Sequence, residues 1–185
     1  MKKLHLYPTL DIDELEYPKE RVSLSLTSSA LEFFTDFHDI TPLIIPDSMT
    51  AVEALKLMRQ THVRMKFVVD NLGQFVGVVS ADDLVESKIV MKVAEGYARE
   101  ALQVRDFMTH KKTMKALDFE EIVSAQISDV IAVLKQSGQQ HCLVVDQRNH
   151  RVRGIFSASD ISRKLHLPID IQEKSSFYKV FSATA

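Results

Sequence analysis

Several features are scarce in this sequence, and each scarcity excludes a class of protein. Only five of the 185 residues are glycine and five are proline, which excludes collagen-like and low-complexity chains. No stretch reaches the roughly 18 consecutive apolar residues of a membrane-spanning helix, and the first residues lack the apolar run of an export signal. The single cysteine, Cys142, excludes an intramolecular disulfide, and its apolar surroundings predict a buried side chain. We therefore expect a globular protein of the reducing cytoplasm.

Net charge and catalytic motifs are scarce as well. The chain carries 23 basic and 25 acidic side chains, so neither nucleic acid nor an anionic membrane surface is an expected partner. Glycine-rich phosphate loops and the Gly-x-Ser-x-Gly nucleophile motif are absent, so we expect no enzymatic activity. The seven histidines show no His-x-x-x-His or His-x-His spacing, which argues against a metal site.

The N-terminal part differs in composition from the rest of the chain. Residues 1–40 carry 8 acidic and 4 basic side chains, and four of the five prolines lie within the first 46 residues. We interpret residues 1–26 as an extended arm, with a flexible tail over 1–20 as the alternative. A short helix is predicted around Ser28–Phe37, where Leu31, Phe34 and Phe37 share an apolar stripe.

An internal repeat organises the remainder of the chain. Residues 48–58 align without gaps on residues 124–134, at a constant offset of 76. Apolar side chains recur at i, i+3, i+4 and i+7 in both segments, which predicts two matching amphipathic helices. These positions are Ala51, Ala54, Leu55 and Met58 in the first copy, and Ile127, Val130, Ile131 and Leu134 in the second.

A β-hairpin and a second helix are predicted after each of these helices. Val-Val-Asp ends the first hairpin strand at Asp70 and at Asp146. With leading strands over 40–45 and 113–119, the unit is β-α-β-β-α, used twice in an α+β fold. A helix over 83–102 joins the copies, with Gly96 as its weak point. The expected divisions are an arm and short helix over 1–38, a first copy over 39–102, a second copy over 103–170 and a tail over 171–185.

These motifs resemble a tandem pair of cystathionine-β-synthase-type (CBS) domains, an arrangement called a Bateman module. The resemblance covers about residues 36–168. It rests on Pro46-Asp47 before the first helix, on Val-Val-Asp before each hairpin turn, and on Gly-x-x-Ser-x-x-Asp after each hairpin. The segment 104–109 also resembles the entry sequence of such domains. The resemblance implies two small sheets packed face to face about a pseudo-two-fold axis, with grooves that accept adenine nucleotides. AMP, ADP or ATP is the expected regulatory ligand, S-adenosylmethionine and NAD rank behind them, and no cofactor is required.

By this resemblance, the Gly-x-x-Ser-x-x-Asp motifs supply ligand-binding residues. Asp83 and Asp160 would accept hydrogen bonds from ribose hydroxyls, and Ser80 and Ser157 would contact ribose or phosphate at a helix N-terminus. The two motif glycines, Gly77 and Gly154, would let the ligand approach the strand closely. The alternative is structural, because Ser-x-x-Asp before an apolar helix is also a capping box.

The residues just before the first hairpin strands form the other implied contact with the ligand. They are Arg64 and Met65 in the first copy and Gln140 and His141 in the second. Arg64 is a candidate phosphate ligand or a solvated cation, and His141 a pH-dependent phosphate ligand or a partly buried neutral imidazole. Phe67 occupies a position where the family often has proline and would narrow the first groove, so we expect the second groove to be occupied at least as often.

Two function hypotheses remain open at this stage. In the first, the protein is a regulatory module that senses adenosine nucleotides and acts in trans on a protein target that the sequence does not identify. In the second, the grooves are empty and the helices serve as an assembly or adaptor surface, with the acidic N-terminal arm and the aromatic tail segment 175–181 as docking elements. The alternative for the tail aromatics is that they cover an apolar patch. We also expect a homodimer, formed through Ala51, Leu55, Ile127, Ile131 and the joining helix. The segment His110-Lys111-Lys112 is either a set of phosphate contacts at a groove mouth or a solvated loop.

Overall fold

The computed structural model describes residues 5–6, 8, 14 and 23–171. The arm expected over 1–26 lies mostly outside these residues, and the tail segment 175–181 lies wholly outside them. Within the described part, no helix combines the length and the apolar character that a membrane span requires.

The described chain contains two four-stranded sheets and five α-helices, which confirms the predicted α+β class. The strands are β1 Thr35–Asp36, β2 Ile44–Pro46, β3 Met65–Val69, β4 Phe75–Ser80, β5 Thr109–His110, β6 Ala116–Asp118, β7 His141–Asp146 and β8 Arg151–Ser157. The helices are α1 Ala51–Gln60, α2 Glu86–Ala94, α3 Phe119–Ile122, α4 Ile127–Ser137 and α5 Ala158–Leu165. One sheet has the order β2-β3-β4-β5 and the other the order β1-β8-β7-β6.

Each copy contains the predicted hairpin beside a parallel leading strand. β3 pairs antiparallel with β4, and β7 pairs antiparallel with β8. β2 runs parallel to β3, and β6 runs parallel to β7. The central strands are apolar at successive positions, such as Phe67 and Val68, because both faces of each sheet are covered. The predicted β-α-β-β-α unit is therefore present twice.

The apolar stripes of α1 and α4 form the cores on the outer faces of the two sheets. Ala51, Ala54 and Met58 are buried in the first core. Ile127, Val130, Ile131 and Leu134 are buried in the second core. The expectation that Ala51, Ile127 and Ile131 lie on a dimer surface is wrong, because each is buried within its own copy. A third cluster between the sheets centres on Phe67, Leu143 and Ile155.

The segments that precede the two copies cross over to the opposite copy. Residues 28–30 bond to the second copy, where Ala30 N–H donates to the Ala125 carbonyl at 2.9 Å. β1 then pairs antiparallel with β8. Residues 102–104 make the matching contacts with the first copy, and β5 pairs with β4. Each sheet is thus completed by an edge strand from a segment that the expected divisions had assigned elsewhere.

The short helix predicted around Ser28–Phe37 differs from the structure. A four-residue 3-10 helix spans Ala30–Phe33, with Ser29 as its N-cap, and strand β1 follows. Ala30 and Phe33 are buried, whereas Leu31 is exposed. The predicted stripe of Leu31, Phe34 and Phe37 was wrong because the segment pairs with β8, which is distant in the sequence, and does not continue as a helix.

The helix that joins the copies is shorter than predicted. It spans nine residues, Glu86–Ala94, and ends just before Gly96, whose φ is 98°. That backbone conformation favours glycine and cannot continue a right-handed helix. The helix therefore ends before Gly96, which was expected only to weaken a helix that continued to residue 102, and a 3-10 turn over Arg99–Ala101 follows.

Candidate functional site

The structure brings the Ser-x-x-Asp residues and the residues before β3 and β7 to the same end of each hairpin. Met65 lies directly across from Ser80, and His141 lies directly across from Ser157. The carbonyl of Arg64 accepts a hydrogen bond from Ala81 N–H at 2.8 Å. The carbonyl of Gln140 accepts one from Ala158 N–H at 2.9 Å. We call these two places the first junction (residues 64–65 and 80–83) and the second junction (residues 140–141 and 157–160).

At the first junction, the side chains are engaged with one another. Asp83 Oδ2 accepts hydrogen bonds from Ser80 N–H at 2.9 Å and from the Ser80 hydroxyl at 2.7 Å. Its other oxygen, Oδ1, accepts a hydrogen bond from Lys88 Nζ at 3.1 Å. Asp83 N–H donates to Ser80 Oγ at 3.2 Å, which completes a capping box. Both carboxylate oxygens of Asp83 therefore have protein partners.

The second junction carries the same motif with a different set of contacts. The Ser157 and Ser159 hydroxyl oxygens lie 2.9 Å apart and share a hydrogen bond. Asp160 N–H donates to Ser157 Oγ at 3.4 Å. Asp160 Oδ1 accepts a hydrogen bond from Arg163, and Oδ2 has no donor among the described residues. The second copy therefore presents a carboxylate with one oxygen free of protein hydrogen bonds.

The second junction also lies within electrostatic reach of the first copy. His141 is half-buried, and this burial lowers the pKa of its imidazole below the ordinary value. The Asp160 carboxylate opposes the lowering of the His141 pKa, and the Arg64 guanidinium adds to it. Arg64 itself is exposed and lies 3.7 Å from Asp82. The Arg64 guanidinium of the first copy and the Asp160 carboxylate of the second therefore both influence the His141 imidazole electrostatically.

The two motif glycines have a structural explanation that differs from the expected approach of a ligand. A side chain on Gly154 would lie 2.2 Å from the Thr35 carbonyl oxygen and 2.3 Å from the Phe34 ring. One on Gly77 would lie 2.3 Å from the Thr109 carbonyl oxygen. The edge strands β5 and β1 thus pack directly against Gly77 and Gly154. The two glycines therefore allow the close approach of an edge strand, and we do not include them in the candidate site.

Two further predicted elements occupy unexpected places. Phe67 is buried between the sheets, edge-on to Phe37 with ring centroids 5.1 Å apart, and also contacts Phe75. Lys111 lines a cavity at the hairpin-turn end of the sheets, away from the junctions. Lys112 does not line this cavity. In the described part of the chain, no three histidine, cysteine or acidic side chains gather as a metal site would require.

The contacts of Ser159, Arg163 and Lys88 at the junctions were missed from the sequence. Two signals were present in the repeat alignment. Arg163 stands three residues after Asp160, a spacing at which side chains meet on a helix. The residue directly before the motif aspartate is Asp82 in one copy and Ser159 in the other, and only the serine can both donate to and accept from the neighbouring hydroxyl.

The pattern of the CBS domain family matches this chain twice, over residues 36–89 and 104–167. The chain belongs to the CBS domain family. Its two CBS domains form a tandem pair with the sheet arrangement described above. The first domain supplies the first junction and the second domain the second junction.

Solved structures with the same fold include several CBS domain proteins. An uncharacterised conserved protein of Pyrococcus horikoshii has a TM-score of 0.56 at 18% identity, and the match covers 80% of this chain and 100% of that one. CBSX2 in complex with AMP has a TM-score of 0.53 at 22% identity, covering 73% and 93%. The CBS domain pair of protein MJ0100, in complex with 5′-methylthioadenosine and S-adenosyl-L-methionine, has a TM-score of 0.52 at 18% identity, covering 74% and 94%.

One curated protein matches over a shorter stretch. Hemolysin C of Brachyspira hyodysenteriae is 33% identical over 64 residues, which is 35% of this chain and 24% of that protein. The match thus spans about a quarter of the curated relative.

Proposed function

We propose that this CBS pair is a regulatory module that binds an adenosine nucleotide of the AMP, ADP or ATP class, principally at the second junction. The observation that carries the proposal is that Asp160, whose Oδ2 oxygen has no donor among the described residues, acts electrostatically on His141, as Arg64 also does. A carboxylate oxygen accepts hydrogen bonds from a ribose diol, and a guanidinium and an imidazole N–H both donate to a phosphate.

The first junction is the weaker candidate within this proposal. A ribose there has to compete with the Ser80 hydroxyl, the Ser80 N–H and the Lys88 ammonium for the Asp83 carboxylate. Each of these hydrogen bonds also stabilises the start of the following turn. Ligand binding at the first junction therefore has to offset the loss of the cap, whereas binding at Asp160 Oδ2 displaces no protein hydrogen bond.

His141 gives the proposed site a pH dependence. Because burial lowers the pKa of His141 in the free protein, the imidazole is neutral at pH 7. A bound phosphate favours the imidazolium and raises this pKa, so ligand binding is coupled to proton uptake. The affinity for nucleotide is therefore expected to be higher at pH 6 than at pH 8, after correction for ionisation of the ligand phosphate.

The ligands of two relatives support the choice of ligand class. CBSX2 was solved with AMP, and the MJ0100 pair with 5′-methylthioadenosine and S-adenosyl-L-methionine. All three molecules contain an adenosine moiety, so the ribose diol is common to them. Residues Arg64 and His141 favour the phosphate-bearing ligands for this chain.

The test is calorimetric titration of the full chain with AMP, ADP and ATP, with S-adenosylmethionine and NAD as further ligands. Asp160→Ala is expected to weaken nucleotide binding about tenfold or more, because a charge-assisted hydrogen bond to the ribose is lost. The matched control is Asp129→Ala. Asp129 caps α4 of the same domain, accepting a hydrogen bond from Gln126 N–H at 2.9 Å, but lies outside both junctions.

The double variant Asp83→Ala/Asp160→Ala addresses the two junctions together. Loss of binding in the double variant, with retention in Asp129→Ala, supports the proposal. Equal affinity in the double variant, the control and the wild type would overturn the assignment of these carboxylates. A larger loss in Asp83→Ala than in Asp160→Ala would move the principal site to the first junction.

The same proposal includes two protein contacts. The module acts in trans on a protein target, and it forms a homodimer. The exposed apolar side chains of α2, including Val90 and Met91 with 50% and 64% of their surface accessible, offer a contact surface. This surface is also what favours the alternative function, an assembly module that binds no nucleotide. Sedimentation velocity of the wild type and Met91→Glu, with and without AMP, separates the two. A dimer that Met91→Glu dissociates and AMP leaves unchanged favours the alternative, and one that responds to AMP favours regulation.

A further inference from the structure

A cavity of about 920 Å³ opens between the two sheets at the end opposite the junctions. Both CBS domains line it, with residues close to the hairpin turns and with the segments that lead into β2 and β6. We call it the turn-end cavity. Its volume falls within the range of roughly 300–1,000 Å³ typical of small-molecule sites.

The turn-end cavity is separate from the junctions. Along β8, Arg151 lines the cavity and Ser157 belongs to the second junction. At about 3.4 Å per residue, the two ends of this strand are about 20 Å apart. The buried side chains of Phe67, Leu143 and Ile155 pack between the sheets along this length. The side chains of Phe67 and Leu143 form the floor of the cavity and lie between its opening and the junction residues Met65 and His141, which are two positions away on the same strands.

The walls of the turn-end cavity are apolar. They are formed by Phe37, Phe67, Phe75, Leu143, Val145 and Val152. Polar side chains such as Gln74 and Gln147 lie at the exposed rim. This lining suits an aliphatic or aromatic body, because it offers contact area and few hydrogen-bonding groups to a polar base or sugar.

The rim of the turn-end cavity is basic. Lys111, Lys115 and Arg151 line it and take part in no ion pair within residues 23–171. The one acidic residue of the lining, Asp146, accepts hydrogen bonds from Asn149 on both carboxylate oxygens, at 3.0 and 2.7 Å. These bonds lower the pKa of Asp146, so its carboxylate stays ionised and is oriented by its own turn. The rim therefore carries three cations and one carboxylate, which lies directly across from Arg151 on the neighbouring strand, above an apolar interior.

We propose that the turn-end cavity binds an amphipathic anion, with an apolar acyl or aryl body between the two sheets and a carboxylate or similar head group at Lys111, Lys115 and Arg151. The apolar body gains from leaving water, and the head group stays at the solvent edge, where its hydration is partly retained. This site goes beyond the proposed nucleotide site and does not depend on it.

The test uses the full chain and defined probes. Fluorescence of 1-anilinonaphthalene-8-sulfonate reports occupancy, and dodecanoate, dodecyltrimethylammonium and dodecanol compete for it below their micelle concentrations. The three competitors share one apolar chain and differ in the charge of the head group. Dodecanoate is expected to displace the probe at concentrations about tenfold lower than the cationic analogue does, because of the basic rim.

Charge variants locate the site. Lys111→Glu/Lys115→Glu is expected to weaken dodecanoate binding about tenfold or more, since two attractive charges become repulsive. Lys112→Glu is the matched control, because Lys112 is exposed beside Lys111 and does not line the cavity. Val152→Trp, which fills the cavity, is expected to abolish binding. If Val152→Trp does not fold, the charge variants still test the proposal, because the substituted lysine side chains are exposed and their replacement leaves the core unchanged.

The contrary outcomes are specific. Equal affinity of the double variant and Lys112→Glu for dodecanoate would overturn the proposal, as would equal affinity of the wild type for dodecanoate and dodecanol. A further test asks whether AMP displaces the probe. If AMP displaces it from the wild type but not from Lys111→Glu/Lys115→Glu, the nucleotide binds in the turn-end cavity, and the proposal of a site distinct from the nucleotide site is overturned. Retained dodecanoate binding in Asp160→Ala supports the proposal whether or not AMP binds at the second junction.

Discussion

The two CBS domains carry the same Gly-x-x-Ser-x-x-Asp motif and use it differently. In the first domain the Ser80 hydroxyl donates to Asp83, and Lys88 approaches from the other side. In the second domain the hydroxyl of Ser157 pairs with Ser159, so Asp160 receives no hydrogen bond from it. The residue directly before the motif aspartate also differs, Asp82 in the first domain and Ser159 in the second, and only the first domain has a complete capping box. A motif alone therefore does not decide between a structural and a ligand-binding role.

A second contrast lies in how the two edge strands are held. β1 is fixed to the second domain by a bidentate pair between Asp36 and Arg153, whose side chains are only 22% and 15% exposed. The Arg153 guanidinium also lies 4.4 Å from the centre of the Phe119 ring. In the first domain, the positions of this pair are taken by His110 and Val76, which cannot form a salt bridge. The second sheet is therefore anchored more strongly at its edge.

The largest expected effect comes from the glycines under these edge strands. Gly154→Ala would place a methyl group against the Thr35 carbonyl and the Phe34 ring, whereas Gly77→Ala meets only the Thr109 and His110 backbone. We expect Gly154→Ala to lower the free energy of unfolding by about 3 kcal/mol or more, and Gly77→Ala by about 1–3 kcal/mol. Urea unfolding followed by circular dichroism measures both. A larger loss in Gly77→Ala would contradict the stronger anchoring of β1.

The next effect concerns the ion pair itself. Arg153→Ala leaves a largely buried Asp36 carboxylate without its partner and is expected to cost about 2 kcal/mol of unfolding free energy. Arg148→Ala is the comparison, because Arg148 forms an exposed pair with Glu120 that contributes about 0–1 kcal/mol. Urea unfolding at low and at high salt separates the two. Equal losses in both variants would show that the Asp36 pair does not anchor the edge strand.

A smaller effect distinguishes the two junctions. Asp83→Ala removes the acceptor of three hydrogen bonds and is expected to lower the unfolding free energy by about 1–2 kcal/mol. Asp160→Ala removes only the contact with Arg163 and is expected to cost less than about 1 kcal/mol. The two losses are compared by thermal and urea unfolding. If Asp160→Ala proves the more costly variant, the second junction is a closed cap and the contrast between the domains fails.

The smallest effect is a pH dependence confined to the second junction. The pKa of His141 is lower in the folded chain than in the unfolded chain, so the unfolded chain binds the proton more tightly. The stability contributed by the neutral imidazole is complete above the unfolded pKa, about 6.5, and is lost as the pH falls towards the folded pKa. The wild type is therefore expected to lose more stability than His141→Gln between pH 7 and pH 5. Parallel stability curves for the two proteins would contradict this.

Local patterns in the sequence predicted the amphipathic helices and the hairpins, whose formation depends on residues close together in the chain. The stripe that includes Ala54 and Met58, its counterpart in α4, and the hairpins that follow Val-Val-Asp are all present. The end of α2 before Gly96 also follows from a local requirement, a positive φ. Such features depend on neighbours within a few residues, so periodicity and turn chemistry report them directly.

The pairing of the entry segments could not be predicted in the same way. Asp36 and Arg153 are 117 residues apart, and no local pattern reports such a contact. A signal was nevertheless present in the repeat, because Phe33-Phe34-Thr35 aligns on Phe107-Met108-Thr109 at an offset of 74. Extending the alignment to this segment would have identified it as the entry segment of the first domain, equivalent to residues 107–109 in the second. The free oxygen of Asp160 depends on hydroxyl orientation at Ser157 and Ser159, which the sequence does not specify.

Because each domain takes its edge strand from the segment that precedes the other domain, the two sheets are completed at different times during synthesis. β5 is translated soon after β4, so the first sheet is completed while the second domain is still being made. β1 leaves the ribosome early and has no partner until β8 emerges 117 residues later, an interval of about 6–23 s at roughly 5–20 residues per second. Throughout this interval Phe33 and Phe34 have no sheet to pack against, so their apolar rings are exposed in the nascent chain.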